Sequence, residues 1–116
     1  MAHADDEVLG MGGTIRRHID DDDSVFVLSM TDGVSARQIN DKNAIKIRQR
    51  AAINASRKLG FTWLSSANFP DNAMDSIALL DVIKFIEKTK KQINPNIIYT
   101  HSSADLNIDH RIVSQA

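Results

Sequence analysis

The chain has 116 residues, of which 42% are hydrophobic and 25% are charged, and its formal net charge is −1. These values are typical of one globular domain, and the balanced charge gives no electrostatic reason to expect a nucleic-acid partner. Cysteine is absent, which excludes disulfides and leaves histidine, aspartate and glutamate as the strong metal ligands. No apolar run approaches the roughly 20 residues that span a bilayer, and no signal-peptide pattern is present. We therefore expect a cytoplasmic protein with a single domain over residues 1–116.

Side chains of the types that bind metal ions lie at the start of the chain. His3, Asp5 and Asp6 lie close together, and apolar residues at helical spacing follow over residues 7–19. A loop that carries such a cluster needs a rigid element in front of it, which in an α/β protein is a buried parallel strand of about five residues. Because almost nothing precedes the cluster, we expect this chain to lack that first strand.

The remaining sequence alternates between short apolar runs and amphipathic segments. The runs rich in β-branched residues predict strands over residues 24–30, 61–66 and 96–101. Apolar residues at helical spacing predict helices over residues 7–19, 43–59 and 76–93, and from residue 109 onward. The four aspartates at 20–23 predict a solvated turn. In the second helix the predicted buried face contains Ala44, Ile47, Ala51, Ala55 and Leu59, and in the third it contains Ile77, Leu80, Ile83, Phe85, Ile86 and Ile93.

This alternation predicts the fold class. Helices between short apolar strands imply a parallel sheet with right-handed crossovers. We expect an α/β fold, a three-layer Rossmann-like parallel sheet with helices on both faces, without its first strand and its C-terminal part. Ligands of such sheets bind at the carboxyl ends of the strands, where Asp32 and Ser35 follow the first predicted strand. Both are candidate substrate contacts, although a simple Asp-Gly turn explains them equally well.

The ligand-type residues favour metal-assisted hydrolysis of an amide or ester. Two histidines and one carboxylate are a known set for catalytic zinc, which keeps a fourth position for water. His3 and Asp6 can converge from one tight bend, and His110 would reach them from another strand end. The metal lowers the pKa of its water to about 7. Asp5 would take the proton as general base, and Asp109 is a candidate for orienting a ligand or the base.

Each part of this site also has a simpler explanation. A His-x-x-Asp sequence is usually a capped helix start, residues 109–111 are of a kind usually found at the surface, and the acids at 5–7 suit the dipole of a helix N-terminus. A dinucleotide-binding fingerprint over residues 10–13 is a weaker alternative, because no strand precedes it and its third glycine is misplaced. On the residues alone, the metal site and the simpler explanations carry roughly equal weight.

Two motifs resemble a known enzyme family. Residues 2–10, Ala-His-Ala-Asp-Asp-Glu-Val-Leu-Gly, resemble the Ala-His-Pro-Asp-Asp-Glu signature of the PIG-L/LmbE-like zinc-dependent deacetylases. Residues 107–111, Asn-Ile-Asp-His-Arg, resemble the family's second motif, His-Pro-Asp-His. Further similar segments are residues 31–33, 48–60, 70–72 and 99–101, so the similarity extends over nearly the whole chain. It implies a hydrolase that removes the N-acetyl group from an N-acetylglucosamine-type amino sugar or its conjugate.

The resemblance implies a role at each matching position. His3, Asp6 and His110 match the ligands of the family's Zn²⁺, or of another divalent ion in its place. Asp5 matches the general base, and Asp109 matches the acid before the last ligand. Further positions that line or serve the sugar site are Arg48, Asp71, Asn107 and His101.

Some positions depart from the family pattern. Asn107 stands where many members have a histidine, and asparagine can donate a hydrogen bond but cannot transfer a proton, so His101 is one candidate for that task. Ala4 replaces the usual proline, and Ala73 stands where relatives often have arginine.

The resemblance also implies that the chain is partial, because the family begins with a strand before its first motif and continues beyond the second. A non-catalytic metal- or sugar-binding relative, or an inactive fragment, is therefore the alternative to the enzyme. An unpaired sheet position would also favour a homo-oligomer.

Overall fold

The structure, a computed structural model, describes residues 1–37 and 42–116. Its regular elements follow the predicted alternation of helices and strands. Short 3₁₀ turns at Ser35–Arg37 and Met74–Ser76 follow the two strands. The helices and strands are α1 (Asp6–Asp20), β1 (Phe26–Thr31), α2 (Lys42–Leu59), β2 (Thr62–Phe69), α3 (Leu79–Ile93) and α4 (Ile108–Gln115).

The two strands form a parallel sheet. Phe26 pairs with Thr62 at one end and Thr31 pairs with Phe69 at the other, and the register shifts between these ends. β2 continues three residues beyond the predicted end at residue 66. As a result, both strands end at the same edge, where the loops after Thr31 and Phe69 begin.

Helices cover both faces of this sheet. Successive side chains of a strand point to opposite faces, and the neighbours of β1 follow that rule. Val27 packs in one cluster with Ile15 and Met11 of α1 and Leu59 of α2. Met30 joins a second cluster to which α3 and α4 contribute Val82 and Val113. The predicted three-layer α/β arrangement is confirmed for the part of the chain that the structure describes.

The third predicted strand, over residues 96–101, is wrong. No strand in residues 1–37 or 42–116 pairs with it, and Ile97, Ile98 and Tyr99 are 61%, 59% and 49% exposed. The physical reason is that, among the described residues, the facing edge of β1 is paired only at its carboxyl end, by Met1 and Ala2.

Those first two residues lie beside β1 like the end of a parallel strand. The Met1 ammonium donates to the Leu28 carbonyl at 2.7 Å, and the Met1 carbonyl accepts from Met30 N at 3.0 Å. Between β1 and the 97–100 segment lies a groove of about 810 Å³, which α1 and α3 also line. At the far side of this groove, Nε2 of His18 lies 2.9 Å from the Tyr99 hydroxyl and so links α1 to the 97–100 segment.

The buried faces of α2 and α3 also differ from prediction. In α2, Ile47 is 66% exposed and Ala51 is exposed, whereas Ala52 and Ser56 are buried. In α3, Val82 is fully buried and the predicted Leu80 is 57% exposed. α2 carries alanine or isoleucine around most of its circumference, so its sequence allowed more than one face, and contacts with α1 and β2 select the face observed. In the described ranges, no helix is long and apolar enough to cross a membrane.

Candidate metal centre

The end of β1 fixes the backbone that carries the first motif. The Ala2 carbonyl accepts hydrogen bonds from Thr31 N and Thr31 Oγ1, both at 3.0 Å. The Ala2 N–H donates to Nε2 of His101 at 2.8 Å. His3 therefore leaves the sheet at its carboxyl edge, directly before α1 begins at Asp6.

Three ligand-type atoms converge at this edge. Nδ1 of His3 lies 3.2 Å from Nε2 of His110, and each of these nitrogens lies 3.4 Å from Oδ2 of Asp6. A tetrahedral zinc with bonds of about 2.0–2.1 Å separates its ligand atoms by about 3.3–3.4 Å. The triangle has the size and the donor chemistry of a two-histidine, one-carboxylate site, so the residues present fit the implied ion.

His3 has its second nitrogen turned toward Asp109. Its Nε2 lies 3.1 Å from Oδ2 of Asp109 and 3.2 Å from Oδ1 of Asp71. Asp109 is fully buried and accepts backbone hydrogen bonds from Asn72 N at 2.7 Å and Met74 N at 3.0 Å. A carboxylate fixed in this way orients the ring behind a ligand nitrogen. His3, Asp71 and Asp109 also lie close enough together to hold an ion, but their contacts with the His3 ring explain this grouping without a second ion.

α4 carries Asp109 and His110 in its first turn. Oδ1 of Asn107 accepts from Asp109 N at 2.9 Å and from His110 N at 3.3 Å, which makes Asn107 the N-cap of this helix. Its amide Nδ2 donates to Oδ1 of Asn72 at 3.1 Å. The predicted substrate contact at Asn107 stays a prediction, since the structure assigns this side chain to capping.

His101 also lies at this site. Its ring stacks on that of His110, with centroids 3.8 Å apart and an interplanar angle of 16°, and its Nε2 lies 3.4 Å from Oδ2 of Asp6. Because the same Nε2 accepts from Ala2 N, the ring holds the start of the chain in place. A direct contact of His101 with substrate stays a prediction.

The centre has a strongly negative environment. Burial lowers the pKa of His3, but hydrogen bonds and charge interactions with Asp6, Asp109 and Asp71 outweigh it, so the pKa lies above its ordinary value. Burial raises the pKa of Asp6, but its contacts with the His101 and His3 rings, the hydrogen bond from the His3 backbone N–H and the charge of His110 overcome that effect and hold the pKa well below its ordinary value. Such surroundings favour a bound cation.

Asp5 points away from its own helix. It occupies the N-cap position of α1, yet its side chain makes no cap hydrogen bond. Its Oδ2 instead lies 3.1 Å from the Arg48 guanidinium. Aspartate commonly caps a helix, so this departure is consistent with a role for the side chain elsewhere. Its predicted position beside an attacking water stays a prediction.

Arg48 reaches Asp5 by crossing Gly33. A Cβ atom on Gly33 would lie 2.5 Å from Nε of Arg48, and the Gly33 φ of +69° also suits glycine. Nε of Arg48 is buried without a hydrogen-bond partner among the described residues. The substrate-binding role expected of Arg48 stays a prediction.

The loops after the two strands contact each other. Oδ1 of Asp32 accepts from Val34 N and Ser35 N at 2.9 and 3.0 Å, as in a simple turn. Oγ of Ser35 accepts from Asp71 N at 2.8 Å. These contacts support the turn explanation of Asp32 and show that Ser35 positions the loop carrying Asp71.

Two further side chains near these residues had no role assigned from the sequence. Glu7 is 1% exposed, and its Oε2 has no hydrogen-bond partner among the described residues. Burial raises the pKa of its carboxyl, against the lowering effect of its own backbone N–H, and the charges of Asp5 and Asp6 raise it further. Asp105 lies 3.0 Å from Nδ1 of His110. Glu7 could have been noticed from the sequence, because it is an acid directly after the predicted ligand Asp6. The contact of Asp105 with His110 could not be inferred from their spacing along the chain.

Fold and site together define a class of protein. The class is an α/β protein with a candidate His-Asp-His cation site at the carboxyl edge of a parallel sheet. The family model described as PIG-L, GlcNAc-PI de-N-acetylase, matches residues 1–116. The chain belongs to the PIG-L family, as its two motifs indicate.

Solved structures agree with this assignment. N,N'-diacetylchitobiose deacetylase from Pyrococcus horikoshii is 25% identical with a TM-score of 0.82, over 97% of this chain and 44% of its own. The conserved protein TT1542 from Thermus thermophilus is 26% identical with a TM-score of 0.81, over 99% of this chain and 50% of its own. GalB, the 4-carboxy-2-hydroxymuconate hydratase from Pseudomonas putida, is 23% identical with a TM-score of 0.79, over 99% of this chain and 52% of its own, and shares the fold. The chain thus spans about half the length of these proteins.

Proposed function

We propose that the chain carries the metal-binding half of a zinc-dependent hydrolase that removes the N-acetyl group from an N-acetylglucosamine-type amino sugar or its conjugate. The observation that carries this proposal is the triangle of His3 Nδ1, Asp6 Oδ2 and His110 Nε2, with edges of 3.2–3.4 Å. Membership of the PIG-L family supports a deacetylase-type hydrolase. The likeness to a chitobiose deacetylase supports an acetylated amino sugar as substrate.

A zinc ion held by these three residues would lower the pKa of a bound water and polarise the acetyl carbonyl. Asp5 accepts the proton from the attacking water and passes it to the amine nitrogen as the carbon–nitrogen bond breaks, so that acetate and a free amino sugar form. Arg48 keeps Asp5 in place through their 3.1 Å ion pair.

The test combines zinc stoichiometry with acetate release from N-acetylglucosamine and N,N'-diacetylchitobiose. His110→Ala should abolish stoichiometric zinc binding, because it leaves two of the three ligands. Asp5→Asn should keep zinc and lose at least about 100-fold in acetate release, which is the usual scale of general-base catalysis. Asp22→Asn is the control for Asp5→Asn and should change neither zinc binding nor acetate release. Asp22 is exposed, and its φ of 63° suits asparagine.

Zinc binding is the first readout, because all three ligands belong to this chain. A protein that binds no zinc would overturn the proposal. A protein that binds one equivalent but releases no acetate, even within a longer chain, would be a non-catalytic metal- or sugar-binding relative. The hydratase that shares the fold shows that the fold alone does not determine the reaction.

A further inference from the structure

Asp105 contacts the back of His110. Its Oδ2 lies 3.0 Å from Nδ1 of His110, on the opposite side of the ring from the nitrogen that faces His3 and Asp6. Its Oδ1 accepts from Asn107 N at 2.9 Å. Both carboxylate oxygens are therefore engaged, and the side chain has one fixed orientation.

The segment around Asp105 is held by several further contacts. The Asp105 and Leu106 carbonyls each accept from the Arg111 guanidinium at 2.8 Å, and Asp105 N donates to the Ser102 carbonyl at 3.2 Å. Asn107 then caps α4. The contact with His110 thus comes from a loop that is fixed at both ends, which is what orienting a ligand ring requires.

The geometry points to Asp105 as a positioning residue that selects the Nδ1–H tautomer of His110 and so presents the Nε2 lone pair to the metal. This inference rests on the proposed metal centre. It also explains why His101, Asp105 and His110 lie close enough to resemble a second cation site: Asp105 is the outer partner of His110, and His101 is stacked on its ring.

The two histidines then have matched but opposite arrangements. Asp109 lies behind His3 at Nε2, and Asp105 lies behind His110 at Nδ1. His3 presents Nδ1 to the metal and His110 presents Nε2. A neutral imidazole has one N–H and one lone pair, so each carboxylate fixes its ring in the tautomer that can bind.

Asp105→Asn is the decisive variant. An asparagine has one acceptor oxygen in place of two, so it cannot accept from both Asn107 N and His110 Nδ1. We expect the zinc affinity, measured by competition with a chelator, to fall about 10–100-fold. We also expect ¹⁵N NMR of the zinc-free protein to show His110 losing its predominant Nδ1–H form.

Ser102→Ala is the matched control. It removes the hydrogen bond from Ala104 N to Ser102 Oγ in the same loop, without touching His110. It should change neither the tautomer nor the zinc affinity. If Ser102→Ala shifts both as much as Asp105→Asn does, loop order alone explains the effect and the inference fails.

Two outcomes separate this inference from the proposed function. If the parent protein binds no zinc, the proposed function fails, and the tautomer of His110 in the metal-free protein still decides the role of Asp105. If Asp105→Asn keeps both the Nδ1–H tautomer and a zinc affinity within about twofold of the parent, a change below about 0.5 kcal/mol, Asp105 has no positioning role.

Discussion

At the scale of single residues, Gly33 holds open the path along which Arg48 reaches Asp5. Its φ of +69° and the Arg48 side chain above it leave no room for a Cβ atom. We expect Gly33→Ala to lower the free energy of unfolding by about 1–3 kcal/mol and to release Arg48 from Asp5. Urea unfolding and acetate release, measured on the same samples, test both effects.

The control for this prediction is Gly13→Ala in α1. Among the described residues, no neighbouring atom lies within 4 Å of a Cβ placed on Gly13, and alanine is favoured over glycine in a helix by about 1 kcal/mol. Gly13→Ala should therefore stabilise the protein and leave acetate release unchanged. A Gly33→Ala protein as stable and active as the parent would contradict the proposed path.

Glu7 makes a pH-dependent contribution to stability. Because burial raises its pKa in the folded state, the folded protein binds this proton more tightly than the unfolded chain. The contribution of Glu7 is then complete below its ordinary pKa of about 4.3, and it decreases as the pH rises through the folded-state value.

Glu7→Gln removes that ionisation. Relative to the parent, the variant should gain stability between about pH 4 and about pH 8, with the larger advantage at the higher pH. Urea unfolding of both metal-free proteins at the two pH values measures the difference. An advantage that stays constant with pH would show that packing, not ionisation, distinguishes the two side chains.

The local part of the centre was predictable from sequence and its tertiary part was not. His3, Asp5 and Asp6 stand within one bend, so their clustering follows from adjacency. The partners that orient them come from distant segments: Arg48 reaches Asp5 from α2, and Asp109 reaches His3 from α4. Spacing along the chain does not show which distant residues meet. Asp109 was a candidate because it stands next to His110, and the resemblance to a family supplied the position of Arg48.

At the scale of elements, α4 is a short helix that depends on its cap. It spans eight residues, and isolated helices of that length are marginal in water. Its first turn carries both Asp109 and His110, so the order of that turn controls the second half of the centre.

Asn107→Ala should therefore cost about 1 kcal/mol of stability and weaken zinc binding. Asn107→Ser should stay close to the parent in both, because serine is also a good cap. Thermal unfolding and a zinc titration of the two variants measure these effects. If alanine and serine reduce acetate release equally while stability is unchanged, Asn107 acts on substrate and not through the cap.

The elements themselves followed from sequence periodicity, with one exception. All four helices and the first two strands lie within a few residues of their predicted ranges. The exception, residues 96–101, has the composition of a strand but pairs with no strand in the part of the chain that the structure describes. Composition determines what a segment prefers, whereas a strand also needs a partner for its backbone groups.

At the scale of the whole molecule, the edge of β1 that faces the groove is paired only at its carboxyl end among the described residues. Met1 already pairs with Leu28 and Met30 in parallel geometry, so residues added before it would extend along β1 into the groove. A designed extension of about six valines and isoleucines, a typical strand length, should raise the unfolding temperature. It would bury its own side chains at about 1.5–3 kcal/mol each and give residues 96–101 a partner.

A glycine–serine extension of equal length is the control, since it offers backbone but almost no apolar surface. Hydrogen exchange at Ile97 and Ile98 should slow only with the apolar extension. Equal effects of both extensions would show that the groove does not accept a strand.

The position of Trp63 separates folding from metal binding optically. Trp63 is the only tryptophan in the chain, and it pairs with Val27 near the start of β1, whereas the centre lies beyond Thr31, about 13 Å further along the strand. Its indole packs in the cluster between the sheet and α1. Its fluorescence therefore reports the assembly of the sheet, because the indole is too far from the centre to contact a bound ion. Fluorescence and a zinc assay on the same sample can thus show whether a variant has lost its fold or only its zinc.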